Sequence, residues 1–329
     1  MWNEGLTLNL VEAQAKRPFR FFLAGDGALV AELRATLLSG HGDRIPLDAN
    51  ACLESVDLSS HPERLVDTDA ARAVIFVGPP GATTPAALSR LETLDLPVFA
   101  LTVDPTRPPV PATEAPSAGS TAHYSVPSLS AEALAEALFP HLLTTIKGVE
   151  VAVGRRLPVL RELIANRLTL DASMSSLRIA VASALVDHVP VLGIVLGTVA
   201  SAGDTLAITG IQALLLLQIA ALYGHDPDLS RLTELIPVVG GGYGWRALAR
   251  ELSGFIPVAG VLIKGGIAYA GTLVVGQGAA FYYQHGRPMS AKQMRTLYDD
   301  ARKRAMEMGR ELISRLNPRK RGGNGAGPA

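Results

Sequence analysis

The chain has 329 residues, 48% of them hydrophobic, 18% charged and 5% aromatic, with a mean hydropathy of +0.25 and a formal net charge of zero. That length allows two domains with a core in each, and so few charges among so many apolar residues exclude a disordered or fibrous chain. A single cysteine, Cys52, excludes an internal disulfide and most cysteine-based metal sites and fits a reducing compartment. The start, Met1-Trp-Asn-Glu-Gly5, has no basic residues ahead of an apolar run, so no secretory signal is expected.

The balanced charge hides two opposite halves. Residues 1–146 carry nine Lys/Arg against seventeen Asp/Glu, and residues 147–329 carry twenty-one against thirteen. Between Ile179 and Gly224 the only formal charges are Asp187 and Asp204, and between Phe255 and Gly286 the only one is Lys264. An acidic α/β half joined to a basic half with very apolar runs predicts a soluble domain followed by a membrane-associated one.

In chain order, Arg20–Ala24 is the first predicted strand, followed by a Gly25-Asp26-Gly27 turn and a helix over Ala28–Leu38. Ala73–Val77 is the second strand, ending at Gly78-Pro79-Pro80-Gly81, and a helix fits Thr84–Leu94. Pro97–Val103 and a short Tyr124–Val126 complete the strands, with a Pro-, Ala-, Ser- and Thr-rich surface loop over Asp104–Ala122. Continuous apolar strands alternating with helices predict a parallel sheet covered on both faces.

A strand, a glycine turn and a helix are the layout of a phosphate site, in which loop amides and the helix N-terminus cradle an anion. Here the loop reads Ala24-Gly-Asp-Gly-Ala-Leu-Val-Ala-Glu32. It lacks the lysine and hydroxyl of GxxxxGK[ST], Val30 stands where GxGxxG needs its third glycine, and Asp26 brings a negative charge to the phosphate position. A tight turn is the simpler reading and a nucleotide site the alternative.

The layout of the first 140 residues nevertheless resembles a GTPase domain of the Era-like class. Leu101-Thr-Val-Asp104 falls where that class has Asn-Lys-x-Asp, with only Asp104 matching, and Ser125 and Ser128 lie near its last guanine-contacting motif. The Asp-x-x-Gly switch motif is absent near Phe76-Val-Gly-Pro79. The resemblance implies a degenerate relative without catalysis.

Ser128-Leu-Ser130 caps a predicted helix that begins Ala131-Glu-Ala-Leu, and helical spacing continues through Leu142, Ile146, Val149 and Val153. Gly154-Arg-Arg-Leu-Pro158 predicts a kink or restart. Arg155, Arg156, Arg161, Arg167 and Arg178 form a positive stretch that is either a solvated surface or a cytoplasmic flank against anionic lipid. Nucleic acid is not an expected partner, because no aromatic residues are interleaved there.

The second half repeats one motif three times: Val189-Pro-Val-Leu-Gly193, Ile236-Pro-Val-Val-Gly240 and Ile256-Pro-Val-Ala-Gly260. Proline and glycine at fixed spacing predict helix starts or breaks inside a bundle. Asp204 is placed to cap an apolar helix over Thr205–Tyr223, closed by Gly224, while Ile179–Ala202 is interrupted by Asp187, His188 and Pro190. From Val258 to Tyr283, small residues at Ala268, Thr272, Gly276 and Ala280 form a ridge that lets another helix approach, and Tyr282 and Tyr283 close the stretch as interfacial aromatics do. A buried core without lipid is the competing reading, since a helix apolar on all sides fits either environment.

Ala207-Ile-Thr-Gly-Ile-Gln212, Ile219-Ala-Ala-Leu-Tyr-Gly224, Gly244-Trp-Arg-Ala-Leu-Ala-Arg250, Ile256-Pro-Val-Ala-Gly260 and Ala268-Tyr-Ala-Gly-Thr272 together resemble the family catalogued as domain of unknown function 697, over about residues 178–285. Its members are membrane-associated and often follow Era-like GTPase domains, so the resemblance implies the same pairing here. It implies no catalytic residues.

Asp187-His188 and His225-Asp226 have no metal-ligand spacing, and nothing else in the sequence supports a Schiff-base role for Lys264. Lys264 is expected to snorkel or to pair with Asp187 or Asp204, and Arg246 and Arg250 to face lipid or pair with Glu251 or Glu234. No catalytic, cofactor-binding or metal residue is nominated, and no cofactor is expected. Eleven Lys/Arg and four Asp/Glu from Arg287 to Arg321 mark a basic helix over Ala291–Leu316, stopped by Asn317-Pro318.

The expected organisation is a degenerate GTPase-like α/β domain at 1–145, a basic helical linker at 146–177, an all-α apolar domain at 178–286, a basic helix at 287–316 and a disordered tail at 317–329. The expected role is a non-enzymatic scaffold or interaction protein, integral to the inner membrane or on its cytoplasmic face, with both termini cytoplasmic and two or four crossings. Its expected partners are membrane lipid and a second copy or another protein. A soluble regulatory module and a GTPase with an unconventional loop are the alternatives.

Overall fold

Strands rich in Phe, Leu, Val and Ile on both faces need helices above and below, and the computed structural model builds that layering. It describes residues 4–40, 46, 48–56, 70–82, 84–186, 193–240 and 260–316. Asp187, His188, Pro190, Arg246, Arg250, Glu251, most of the first and third proline motifs, and the tail from Asn317 lie outside these residues.

Helix α1 (Glu4–Lys16) leads into β1 (Arg20–Gly25), α2 (Gly27–Leu38), a 3-10 turn (Ala49–Cys52), β2 (Leu53–Val56) and β3 (Ala71–Gly78). Then follow α3 (Pro85–Glu92), β4 (Val98–Val103) and β5 (Thr121–Val126). All five strands are parallel, in the order β2-β1-β3-β4-β5. Alternation along the strands divides their side chains between two layers. Phe22, Ala24, Val74, Phe76, Val98 and Ala100 pack with Leu88 and Leu91 of α3 on one face. Phe21, Leu23, Ile75, Phe99 and Leu101, all fully buried, point the other way.

Helices α4 (Ala131–Ala137), α5 (Phe139–Thr145) and α6 (Glu150–Arg156) follow the sheet. The Ser130 hydroxyl caps α4 by accepting from Ala133 N at 3.3 Å. Pro158 opens a 3-10 turn (Pro158–Leu160), which restarts the chain as α7 (Arg161–Val186). Then come α8 (Gly193–Leu222), α9 (Leu229–Gly240), α10 (Gly260–His285) and α11 (Ala291–Leu316). The second proline motif, Ile236–Gly240, is itself helical and forms the end of α9.

The chain divides into two compact units, one comprising Asn9–Ile164 with Ala220–Pro227 and the other Met1–Leu8, Ala165–Ile219 and Asp228–Ala329. The architecture is therefore α/β plus helical. Among the described residues no helix is long and apolar enough to cross a membrane. Asp204 also departs from its expected place. It lies inside α8, which starts at Gly193, so it does not cap a helix beginning at Thr205. The apolar residues ahead of it simply continue the same helical ladder.

In the helical unit, α10 packs on α11 through Tyr269, Ala270, Leu273, Ala301 and Ala305, joined by Leu177 and Val181 of α7. Buried positions of α11 recur at Met294, Ala301 and Ala305, which leaves most of its described charged residues exposed.

Cys52 shows what the α/β core does to a reactive group. Its thiol is 5% exposed and donates to the Ala49 carbonyl at 2.9 Å. Burial, the largest cause, pushes its pKa from 9.0 up to about 12, against a smaller lowering by Arg156. Because the folded value lies above the unfolded one, the thiol's contribution to stability is complete below about pH 9 and is lost as pH rises toward 12. The native chain is expected to resist a thiol reagent at about pH 8, where the unfolded chain takes up one equivalent. Rapid labelling of the native chain would contradict the burial.

Candidate functional site at the carboxyl ends of the strands

In a doubly wound sheet, ligands bind outside the carboxyl ends of the strands, where the strand order reverses. With the order 2-1-3-4-5 that switch point lies between β1 and β3. The groups gathered there are the Gly25-Asp26-Gly27 turn after β1, Gly78–Gly81 after β3, and Asp104 after β4.

The β1–α2 turn is closed by its own atoms. Asp26 Oδ1 accepts from Ala28 N at 3.0 Å and Leu29 N at 3.1 Å, so the amides that greet an anion in a phosphate loop are already bonded. Asp26 N donates to the Val77 carbonyl at 2.9 Å, which ties the turn down on β3. Gly25 makes that approach possible, with φ at +117° and an added Cβ falling 1.9 Å from Val77 O. No side chain fits between.

Asp104, the match to the guanine-reading motif, is likewise engaged within its own loop. It accepts from Thr106 N at 3.0 Å and Thr106 Oγ1 at 2.6 Å and lies 3.3 Å from Arg107 Nε. The Thr106 hydroxyl, foremost, lowers its pKa, followed by the Thr106 amide. Ser125 pairs through its backbone with Val110, and Ser128 is exposed. A depression of about 420 Å³ opens beside β1 and β2, lined by Leu23, Gly25, Gly27, Val30 and Val56. Its polar groups are Arg34 and Ser55, and Arg34 donates to Ser55 Oγ at 2.8 Å and to Asn50 Oδ1 at 2.7 Å. Among the described residues, no cluster of three or more His, Cys, Asp or Glu side chains is poised for a metal.

Three of the five arginines read as a solvated surface or a lipid-facing flank are engaged within the fold. Arg161 is 1% exposed. It donates from Nε to the Gly154 carbonyl at 3.0 Å and from Nη2 to the Arg155 carbonyl at 3.3 Å, capping the end of α6, and it stacks over the Tyr223 ring. Burial, foremost, lowers its pKa to about 10. Arg155 donates to the Ala221 and His225 carbonyls at 3.3 and 2.8 Å and pairs with Asp226 at 2.9 Å, closing α8. Arg156 pairs with Asp48 at 3.2 Å and donates to the Ala15 carbonyl. Three of the five flank cations thus bind helix ends and loops of the α/β unit, and only Arg178 is exposed outright. The reason is geometric: carbonyls orphaned at the ends of α6 and α8 need donors, and arginine supplies several from one group.

The His225-Asp226 pair belongs to this cap and not to a catalytic arrangement. Arg161→Met should cost about 3 kcal/mol or more, since it strands the buried Gly154 carbonyl and the part-buried Arg155 carbonyl, with unfolding in urea as the measurement. A loss below about 0.5 kcal/mol would show that the capping is dispensable.

The small-residue ridge is also used within the chain. Ala268, Thr272, Gly276 and Ala280 of α10 are all buried. A Cβ at Gly276 would lie 2.3 Å from Thr169 Oγ1 and 2.9 Å from Leu215 Cδ2, so α7 and α8 fill the groove that a partner helix was expected to occupy. One turn away, Gln212 Nε2 donates to Thr272 Oγ1 at 3.2 Å, and the Ser176 hydroxyl lies 2.9 Å from the same oxygen. In the sequence Gln212 is named only as the last residue of Ala207-Ile-Thr-Gly-Ile-Gln212; its hydrogen bond joins α8 to α10. Tyr282 donates to Glu234 Oε1 at 3.2 Å, and Glu234 pairs with Arg231 at 2.6 Å. Lys264 is exposed.

No family model, curated protein or solved structure matches the chain. The likeness to Era-like GTPases and to domain of unknown function 697 rests on the quoted residues alone.

Proposed function

We propose that the chain is a non-enzymatic scaffold or interaction protein. In this reading a degenerate GTPase-like α/β domain is followed by a helical domain that is associated with the cytoplasmic side of the inner membrane. One observation carries the first part: Asp26 bonds the helix amides a nucleotide phosphate would need, in a turn without the lysine and hydroxyl that hold phosphate and magnesium. A domain of this architecture whose switch point is filled by its own carboxylate acts through its surface. Titration of the full chain with fluorescent GTP and ATP analogues tests this. The expected result is no saturable binding, and micromolar, magnesium-dependent binding would overturn it in favour of a GTPase with an unconventional loop.

The membrane part is supported by the charge-poor runs Ile179–Gly224 and Phe255–Gly286 and by the basic residues after Arg287; with both termini cytoplasmic, the number of crossings in this reading is even, two or four. A second reading, a regulatory helical module without lipid contact, is favoured by the burial of the Ala268–Ala280 ridge against α7 and α8. Membrane fractionation with a carbonate wash separates the two. Retention in the pellet is expected, and full recovery in the supernatant without detergent assigns the regulatory module.

A further inference from the structure

The crossover from β4 to β5 joins neighbouring parallel strands without a helix. Such connections are normally helical, and loops longer than about 15 residues without structure of their own are uncommon and often functional. Asp104–Ser120 is such a loop, and it contains Arg107-Pro108-Pro109-Val110-Pro111.

Each of those five residues is a proline or precedes one. Proline fixes φ, and the residue ahead of it is driven to the extended or polyproline region, so the segment is held extended by local sterics. Polyproline geometry has three residues per turn, which sets the pairs Arg107-Pro108 and Val110-Pro111 on one edge. The fold then anchors the segment. Val110 N donates to the Ser125 carbonyl at 2.8 Å and Ser125 N returns a bond to Val110 O at 3.1 Å. Asp104 with Thr106 fixes its start, and buried Pro116 pins the chain beyond it.

What remains outward is apolar and cationic. Pro108, Val110 and Pro111 are exposed, Val110 by 48%, and the Arg107 side chain is 71% exposed. Its pairing with Asp104 at this exposure holds it weakly, so a carboxylate of another protein can compete for it.

We infer that Arg107–Pro111 is a docking segment for a proline-reading domain of a partner protein, with an aromatic-lined groove for Pro108 and Pro111 and an acidic rim for Arg107. The anchoring already limits the ordering cost that binding otherwise incurs. This rests on the reading that the α/β domain acts through its surface. The two fail separately, since nucleotide binding is measured at the β1–α2 turn and docking at this loop.

The test is a titration of labelled SH3, WW and EVH1 domains with the full chain, followed by polarisation. Saturable binding to at least one is expected. The double variant Pro108→Ala/Pro111→Ala should weaken it about tenfold or more, on the scale of interface hot spots, while Glu114→Ala leaves it unchanged. Circular dichroism checks that the variants keep the fold. No binding to any of the three, or equal binding by the double variant, overturns the inference. So does concentration-dependent self-association abolished by the same double variant, which would assign the segment to a second copy of the chain.

Discussion

Gly25→Ala is expected to destabilise the α/β unit by about 3–5 kcal/mol, enough to unfold a marginal domain. Two costs combine. The residue sits at φ +117°, where an L side chain is strained, and its Cβ would lie 1.9 Å from Val77 O and 2.9 Å from Val77 C. Those atoms belong to the main chain of β3, between its bonds to β1 and β4, and cannot turn aside as a side chain can. Relief requires β1 and β3 to separate. Gly27→Ala, two residues on, is the control: its Cβ would meet nothing within 4 Å, and the position opens α2. There alanine should be neutral or stabilising by up to about 1 kcal/mol, through helix propensity and a less flexible unfolded chain. Urea unfolding of the two variants gives the comparison. Equal effects would mean that the closed turn at the β1–β3 switch point is not what Gly25 provides.

Gly276→Leu should destabilise the helical unit by about 3 kcal/mol or more without changing the mass of the particle. Its Cβ alone would stand 2.3 Å from Thr169 Oγ1, 2.6 Å from Thr169 Cγ2 and 2.9 Å from Leu215 Cδ2, before the rest of the leucine is placed. Thr169 is β-branched on a helix and has little rotamer freedom to yield. Thermal unfolding and light scattering separate the alternatives. A fall in stability at constant mass puts the ridge inside the chain. Unchanged stability with loss of an oligomer puts it between chains. A cycle with Thr169→Ala sharpens this: Gly276→Ala should cost less in that background, because two of the three clashing atoms are gone.

Much of the layering was legible from local patterns. Phe21–Ala24, Ala73–Val77 and Val98–Val103 are runs that only a sheet covered on both sides can bury, and the glycine turns between them marked the strand ends. The missing phosphate lysine and the ill-placed Asp26 charge could be read one residue at a time. Two elements left little trace. β2 is four residues long with Glu54 and Ser55 at its centre, and α1 buries only Val11 and Ala15. Neither carries enough periodicity to stand out.

The sequence by itself determined the sheet-then-helix order, the proline restart at Pro158, the proline-rich surface loop after Asp104 and the lack of a phosphate-loop lysine, because each follows from sterics or chemistry within a few neighbouring residues. Only the tertiary structure decided what the cations and small residues touch. Arg155, Arg156 and Arg161 read as a positive flank until folding gave them partners: Arg161 turns back on the nearby end of α6, while Arg155 reaches the end of α8, distant in the chain. The Ala268–Ala280 ridge was open to any helix until α7 and α8 took it. Charge and residue size are local properties, but their partners are chosen by long-range packing, which no spacing along the chain encodes.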